Sequence, residues 1–212
     1  MNRITSIEPQ DEDPNLRIVF VNGEYVATLT SSAISILNLK IGSEWNSTIS
    51  SAVSQDAENE HGRKIAIKLI SKRMWGANEL LNRLIERGIE IKNAKQVIQS
   101  LIKDNWLNDE QYAEALIREW TRKEPAGKSL LIRKLQHKKL DTEIIDKTLQ
   151  KYFEIYPQHK AAVEFAVIRL RKNQKTLNQE TKNKLIAAMR RRGFAAEESN
   201  DALDEAIEQL AS

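Results

Sequence analysis

From Arg63 to the end of the chain, hydrophobic side chains recur every three or four positions, the spacing that places them on one face of a helix. Ile65, Ala66, Leu69 and Ile70 form a first stripe, Leu80, Leu81, Leu84 and Ile85 a second, and Val97, Ile98, Leu101 and Ile102 a third. Tyr112, Ala113, Leu116, Ile117 and Trp120 follow, then a helix over Leu130 to Leu135, then Ile144, Ile145, Leu149 and Phe153. The last group holds Val163, Ala166, Val167 and Leu170, then Leu185, Ile186 and Met189, then Ala202, Leu203, Ile207 and Leu210. Helix punctuation falls between these stripes. Gly88 and Gly193 suit left-handed caps, Asn108 an N-cap ahead of Asp109 and Glu110, and Asp141 a further cap. Pro125-Ala126-Gly127 makes a break, and Pro157 opens the last group.

The punctuation itself repeats. Leu84-x3-Gly88-Ile89, Leu135-x3-Lys139-Leu140 and Met189-x3-Gly193-Phe194 are copies of one pattern, spaced by 51 and then 54 residues. Leu80, Leu131 and Leu185 precede the anchors by four residues, and Ile98, Leu149 and Leu203 follow the last hydrophobe by nine. The expected fold is therefore mainly α: three tandem three-helix repeats, nine helices in an elongated and curved array, preceded by a small N-terminal β-hairpin segment. Each unit is too small to sustain a core alone, so neighbours should lean on one another and present an extended face, which puts partner binding ahead of catalysis. Where the other units have glycine, the second has Lys139, which either turns left-handed at a cost of about 1 kcal/mol or ends its helix differently.

Before the helices the pattern is strand-like. Asn22-Gly23 is a preferred two-residue type I′ turn, and counting outward from it pairs Phe20 with Tyr25, Ile18 with Ala27 and Leu16 with Leu29. That register gives the ribbon one apolar face, which must pack on something because a lone hairpin is marginal. Ser31 to Leu37 reads as a short helix and Ser47 to Glu60 as a more polar one ending near Gly62. The expected boundaries are a polar, mobile tail over 1–14, the hairpin and short helices over 15–60, and repeats over 61–107, 108–156 and 157–212.

Composition narrows the functional classes. With 41% hydrophobic and 30% charged residues, only seven glycines and four prolines, the 212-residue chain favours long helices. No apolar run approaches the roughly 18 residues of a membrane span, and the first residues lack the apolar stretch of a secretory signal, so a cytoplasmic location is expected. The absence of cysteine removes disulfides, thiolate nucleophiles and Cys-based metal sites. Charge is unevenly spread: residues 1–60 carry three basic side chains against nine acidic ones, and the remainder 30 basic against 21 acidic. An acidic head on a basic body points to an anionic partner for the body.

Enzymatic signatures are weak. Gly127-Lys128-Ser129 resembles the end of a phosphate-binding loop, but Arg122 stands where its first glycine belongs and a helix, not a strand, precedes it. His61, His137 and His159 have no metal-ligand spacing, and no carboxylate pair stands out for acid–base work. No catalytic residue, metal or cofactor is expected. The cations do cluster. Arg190, Arg191 and Arg192 precede Gly193, and Arg133, Lys134, Lys138 and Lys139 surround the equivalent helix end of the second unit, as Arg83 and Arg87 do in the first. Arg118, Arg122 and Lys123, and Arg169, Arg171 and Lys172, follow the first helices of the second and third units, echoing Lys68, Lys72 and Arg73. Helix C-termini attract cations by themselves, which accounts for one or two per helix; the excess reads as a binding surface. Four tryptophans, Trp45, Trp75, Trp106 and Trp120, sit at helix junctions and read chiefly as core, with base stacking the alternative.

Three stretches resemble the RecX family, regulators of the RecA recombinase. They are Arg73-x2-Gly76-x2-Glu79-Leu80-x3-Leu84-x3-Gly88-Ile89, then Leu107-Asn108-Asp109-Glu110-x-Tyr112-Ala113, then Gly127-x3-Leu131-x3-Leu135. The likeness runs from about Gly62 onward and is sharpest in the first two units; Gly76 replaces a usual serine N-cap and Lys139 a usual glycine. The resemblance implies a non-enzymatic protein, expected to be monomeric, that lies along the groove of a RecA filament on single-stranded DNA. There it would impede filament extension, ATP hydrolysis, strand exchange and the coprotease activity behind the SOS response. Arg169, Arg171, Arg190, Arg191 and Arg192 are the expected contacts, with Arg118, Arg122 and Lys123 as a central patch. Reversing Arg190, Arg191 and Arg192 to Glu should weaken that inhibition without loss of helicity. Two alternatives stay open: a general DNA-binding helical repeat protein acting without RecA, and an enzyme with a nucleotide site at Gly127 to Ser129.

Overall fold

A computed structural model describes residues 1–11, 13–172 and 178–211. The chain divides into two compact units, Met1–Arg73 with Leu81–Asp104, and Met74–Leu80 with Asn105–Ser212.

The first unit opens with three antiparallel strands in spatial order, β1 (Ile4–Pro9), β2 (Leu16–Val21) and β3 (Glu24–Thr30). Asn22 and Gly23 have φ of +50° and +86°, as a type I′ turn demands, and Phe20 pairs with Tyr25 as expected. Beyond that pair the register departs from expectation. β3 carries one extra residue, Val26, so Val19 pairs with Ala27 and Arg17 with Leu29 in place of Ile18 with Ala27 and Leu16 with Leu29. A one-residue shift exchanges faces. Val19, Val21, Ala27 and Leu29 are buried, while Leu16, Ile18 and Phe20 lie on the half-exposed side.

The expected mobile tail over 1–14 is corrected by β1, which pairs with β2 along its length. Ile4, 1% exposed, anchors it in the core, and the segment behind closes its outer edge: the Ile4 amide donates to Ser43 O at 2.9 Å and the Gly42 amide to Ile4 O at 2.8 Å. The hairpin is thus one half of a larger sheet, which relieves the marginality of an isolated pair.

Two helices follow. In α1 (Ser31–Ile36) the Thr30 hydroxyl accepts from the Ala33 amide, and in α2 (Ser47–Ile70) Asn46 accepts from the Ile49 amide. α2 does not stop near Gly62. That glycine is buried inside the helix, and a Cβ on it would lie 3.3 Å from Val97 Cγ2, so its smallness admits the neighbouring helix α4 (Ile91–Lys103). Val53, in the first half of α2, closes the sheet core, whereas Ala66 and Leu69 belong to its second half, so head and first helical group share one rod. A polar row joins α2 to α4: Asn59 donates to Gln96 at 2.9 Å, and Arg63 to Ser100 at 2.7 Å and Asp104 at 2.8 Å.

The division between units passes through α3 (Ala77–Glu86). In the second unit α5 (Asp109–Thr121), α6 (Lys128–His137) and α7 (Thr142–Ile155) enclose Ala113, Ile117, Leu131, Leu135 and Leu149. α8 (Gln158–Lys172), α9 (Gln179–Arg191) and α10 (Ala196–Ala211) enclose Phe165, Met189, Phe194 and Leu203. Asn108 caps α5 through its side chain, as expected; Asp141 occupies the α7 N-cap but makes no side-chain cap bond. Ten helices are present among the described residues, α1 and the three triplets, with α2 serving both head and first triplet.

The recurring sequence pattern is a recurring helix end. The Ile89 amide donates to Leu84 O and Gly88 to Ile85 O; Leu140 donates to Leu135 O and Lys139 to Gln136 O; Phe194 donates to Met189 O and Gly193 to Arg190 O. These are Schellman caps, with the anchor and the following hydrophobe buried in all three. Lys139 takes φ +58°, so it adopts the left-handed conformation instead of ending its helix differently.

Two glycines bring the second and third triplets to backbone contact. The Gly127 amide donates to Arg192 O at 3.1 Å, and a Cβ on Gly127 would fall 2.2 Å from Gly193 O. Gly127→Ala should therefore cost about 1–3 kcal/mol or more through overpacking, although its φ of −77° suits any residue. Gly88→Ala meets open space and carries only the left-handed penalty, roughly 1–2 kcal/mol. Thermal melts followed by circular dichroism should show the larger drop for Gly127→Ala; the reverse order would refute the close-approach account.

Candidate functional site

Three helix C-termini of the second unit are drawn to one place by charge. Arg192, the C-cap of α9, donates through Nε to Pro125 O at 2.7 Å and through Nη2 to Trp120 O at 3.0 Å and to Glu124 O, carbonyls at the end of α5 and just past it. Glu124 turns its carboxylate to the last turn of α8, accepting from Arg169 at 2.8 Å and Lys172 at 3.1 Å. Each helix end carries a negative partial charge, so gathering three of them beside a carboxylate requires cations. Burial alone would raise the Glu124 carboxyl; Lys172, Arg169 and Arg192 together reverse that and hold it below the ordinary carboxylate range. Arg169 also lies over the Phe165 ring at 5.0 Å.

The twelve cations singled out in the sequence sort into two groups. Five are taken up by the fold: Arg192, Arg169 and Lys172 at the Glu124 node, Lys134 over the Trp120 ring at 4.7 Å, and Lys138 paired with Glu79 at 3.5 Å. The other seven, Arg118, Arg122, Lys123, Arg133, Arg171, Arg190 and Arg191, are exposed, and among the described residues none has an acidic partner. All but Arg133 stand on or just beyond the last turns of α5, α8 and α9, the three ends that the node ties together. Glu124 went unnoticed in the sequence, as did the approach of Gly127 to Gly193, since only the folded chain brings these positions together.

Other candidates are disposed of by their contacts. The Gly127 and Lys128 amides, which a phosphate would need, already donate to Arg192 O and to Gln158 Oε1 at 2.9 Å. His159 lies 2.8 Å from Glu205, His61 lines a groove beside α2, and His137 ends α6. Trp45 packs on the sheet core and Trp120 on the second-triplet core, whereas Trp106 is half-exposed. Among the described residues, no helix is long and apolar enough to cross a membrane.

No protein-family profile matches the chain. Curated relatives do. The regulatory protein RecX of Bacillus licheniformis is 25% identical over 205 residues, 97% of this chain and 78% of that protein. RecX of Bacillus subtilis is 24% identical over 95% of this chain and 76% of its own length, and RecX of Listeria monocytogenes 22% over 98% and 77%. Along nearly its whole length the chain is thus similar to regulatory proteins RecX. The fold agrees: a crystal structure of regulatory protein RecX superposes with a TM-score of 0.76 at 17% identity, covering 96% of this chain and all of that one. RecX from Lactobacillus salivarius gives 0.60 at 20% identity over 71% of this chain and 97% of its own.

The stretches that carried the RecX resemblance now have physical roles, and they are joints. Asp109 Oδ1 accepts from the Ala77 amide at 2.8 Å, capping α3 from the neighbouring helix α5, which supplies what Gly76 lacks in place of a serine. Burial pushes the Asp109 carboxyl up, partly offset by that amide. Tyr112 donates to Glu79 at 2.8 Å and its ring covers Gly76, where a Cβ would come within 2.9 Å of Cε1. The second joint repeats the device: Gln158, first residue of α8, caps α6 at the Lys128 amide.

Arg192 therefore belongs to the framework. Arg192→Ala should cost about 2–3 kcal/mol by stranding buried carbonyls and part of the Glu124 charge, whereas Arg191→Ala should stay within about 0.5 kcal/mol. Because the Glu124 carboxyl is held low in the folded state, its contribution is present above the ordinary carboxylate value and lost as pH falls through the lower folded one. Urea unfolding should accordingly find Glu124→Gln weaker than the parent at about pH 7, with the difference shrinking as pH falls below the ordinary carboxylate range. Equal stability at neutral pH would argue against the node.

Proposed function

We propose that this chain regulates a RecA-type recombinase by binding the filament that the recombinase forms on single-stranded DNA. The observation that carries this reading is the set of exposed cations, Arg118, Arg122, Lys123, Arg171, Arg190 and Arg191, standing at the three joined helix ends without acidic partners among the described residues. Relatives named regulatory protein RecX support the regulatory role. Guanidinium groups suit both faces of such a target: they bind DNA phosphates in bidentate fashion and pair with carboxylates on a protein surface. Held on packed helices, they meet an extended anionic partner with little further ordering. In this role the bound chain hinders filament extension and with it ATP hydrolysis, strand exchange and coprotease activity. Arg192, Arg169, Lys172, Lys134 and Lys138 act through the framework, holding these ends in place. No catalytic group is assigned.

The test is the DNA-stimulated ATPase of RecA with increasing amounts of the chain. The double variant Arg190→Glu/Arg191→Glu, which spares Arg192, should need about tenfold more protein for half-inhibition, equivalent to about 1.4 kcal/mol, with its far-UV spectrum unchanged. Inhibition identical to the parent would exclude this surface. A chain that leaves the ATPase untouched yet binds DNA alone, with affinity falling steeply as salt rises, would instead be a general DNA-binding protein.

A further inference from the structure

The acidic head carries a surface for which the recombinase reading has no use. Cross-strand pairs Ile18–Thr28 and Phe20–Tyr25, with Leu16 opposite Thr30, lie on the face of the sheet turned away from its buried core. Tyr25 is 61% exposed, and its ring meets that of Phe20 edge-on at a centroid distance of 6.5 Å. Beside this face a groove of about 220 Å³ runs between the strands and α2, lined by Leu16, Thr28, Thr30, Asp56, Glu60 and His61. Asp56 and Glu60 stand one helical turn apart on α2, and among the described residues neither carboxylate has an ion pair. Burial pushes the Asp56 carboxyl up, and the Glu60 charge pushes it further; Lys64 also lines the groove, so two carboxylates against one ammonium leave it one net negative charge.

An aromatic and aliphatic face edged by unpaired carboxylates fits arginine: the guanidinium plane stacks on the rings and its N–H groups reach the acids. This chain carries the complementary surface itself, in the exposed arginines at the joined ends of α5, α8 and α9 that have no acidic partner among the described residues. We propose that copies of this chain associate head to tail, the Phe20–Tyr25 face and Asp56–Glu60 groove of one receiving the Arg190–Arg191 end of the next. The two patches differ, so a single contact leaves one free head and one free tail, each able to receive a further copy. Association of this kind departs from the monomer expected from the sequence, and it needs neither recombinase nor DNA.

Sedimentation velocity of the full chain alone tests it. At about 0.05 M salt the weight-average mass should rise with protein concentration, and at about 0.5 M salt it should fall back to the monomer as screening shortens the reach of the charges. The head variant Tyr25→Ser/Glu60→Lys and the tail variant Arg190→Glu/Arg191→Glu should each stay monomeric with unchanged far-UV spectra; Tyr25→Ser alone serves if the head variant misfolds. Mixed in equal amounts, the two variants should form dimers and nothing larger, because only one intact head then meets one intact tail. A monomer at every concentration in low salt, a self-association that salt does not weaken, or variants that fail to pair on mixing would each overturn the proposal.

Discussion

The arrangement of the second and third helical triplets depends on one guanidinium. α5, α8 and α9 end at a common point, where their unpaired carbonyls and the Glu124 carboxylate would repel one another without a cation between them. Arg192 supplies three bonds to carbonyls at the end of α5 and just past it, and Arg169 with Lys172 neutralises the acid. The glycine pair Gly127 and Gly193 lets the backbones approach closely enough for that reach, so the electrostatic node and the steric gap require each other. A lysine at 192 could neutralise the charge but could not span three acceptors from a planar fork.

Much of the helical body was legible in the sequence because its signals are local. The nine stripes, the Asn108 cap, the break before Gly127 and the three helix ends at Gly88, Lys139 and Gly193 all depend on residues within a few positions of one another. Signals that depend on distant partners were misread. Gly62 looks like a stop until Val97 and Ile89 are seen packed against it, and Ile4 and Ile7 look like a tail until β2 lies beside them. The hairpin turn at Asn22 was right and its neighbours wrong, because a bulge at Val26 has no signature of its own in residue types.

The same limit applies to the candidate surface. Charge and position marked twelve cations, yet nothing in the residue types separates Arg191, which faces water, from Arg192, which is sunk among carbonyls. The distinction comes from position on the helix: Arg192, the C-cap of α9, falls on the side that meets the end of α5, and Arg191 does not. Function and framework thus draw on one run of three arginines, and a substitution that treats the run as a unit confounds loss of contact with loss of fold.

The continuous α2 has a mechanical meaning. At about 1.5 Å per residue its 24 residues make a strut of roughly 36 Å, fastened to the sheet by Val53 near one end and to α4 by Gly62 and Arg63 toward the other. A strut without a hinge transmits displacement. The head is accordingly no detachable appendage: cutting the chain at residue 60 would sever a helix in mid-span, and whatever grips the sheet also holds the first triplet.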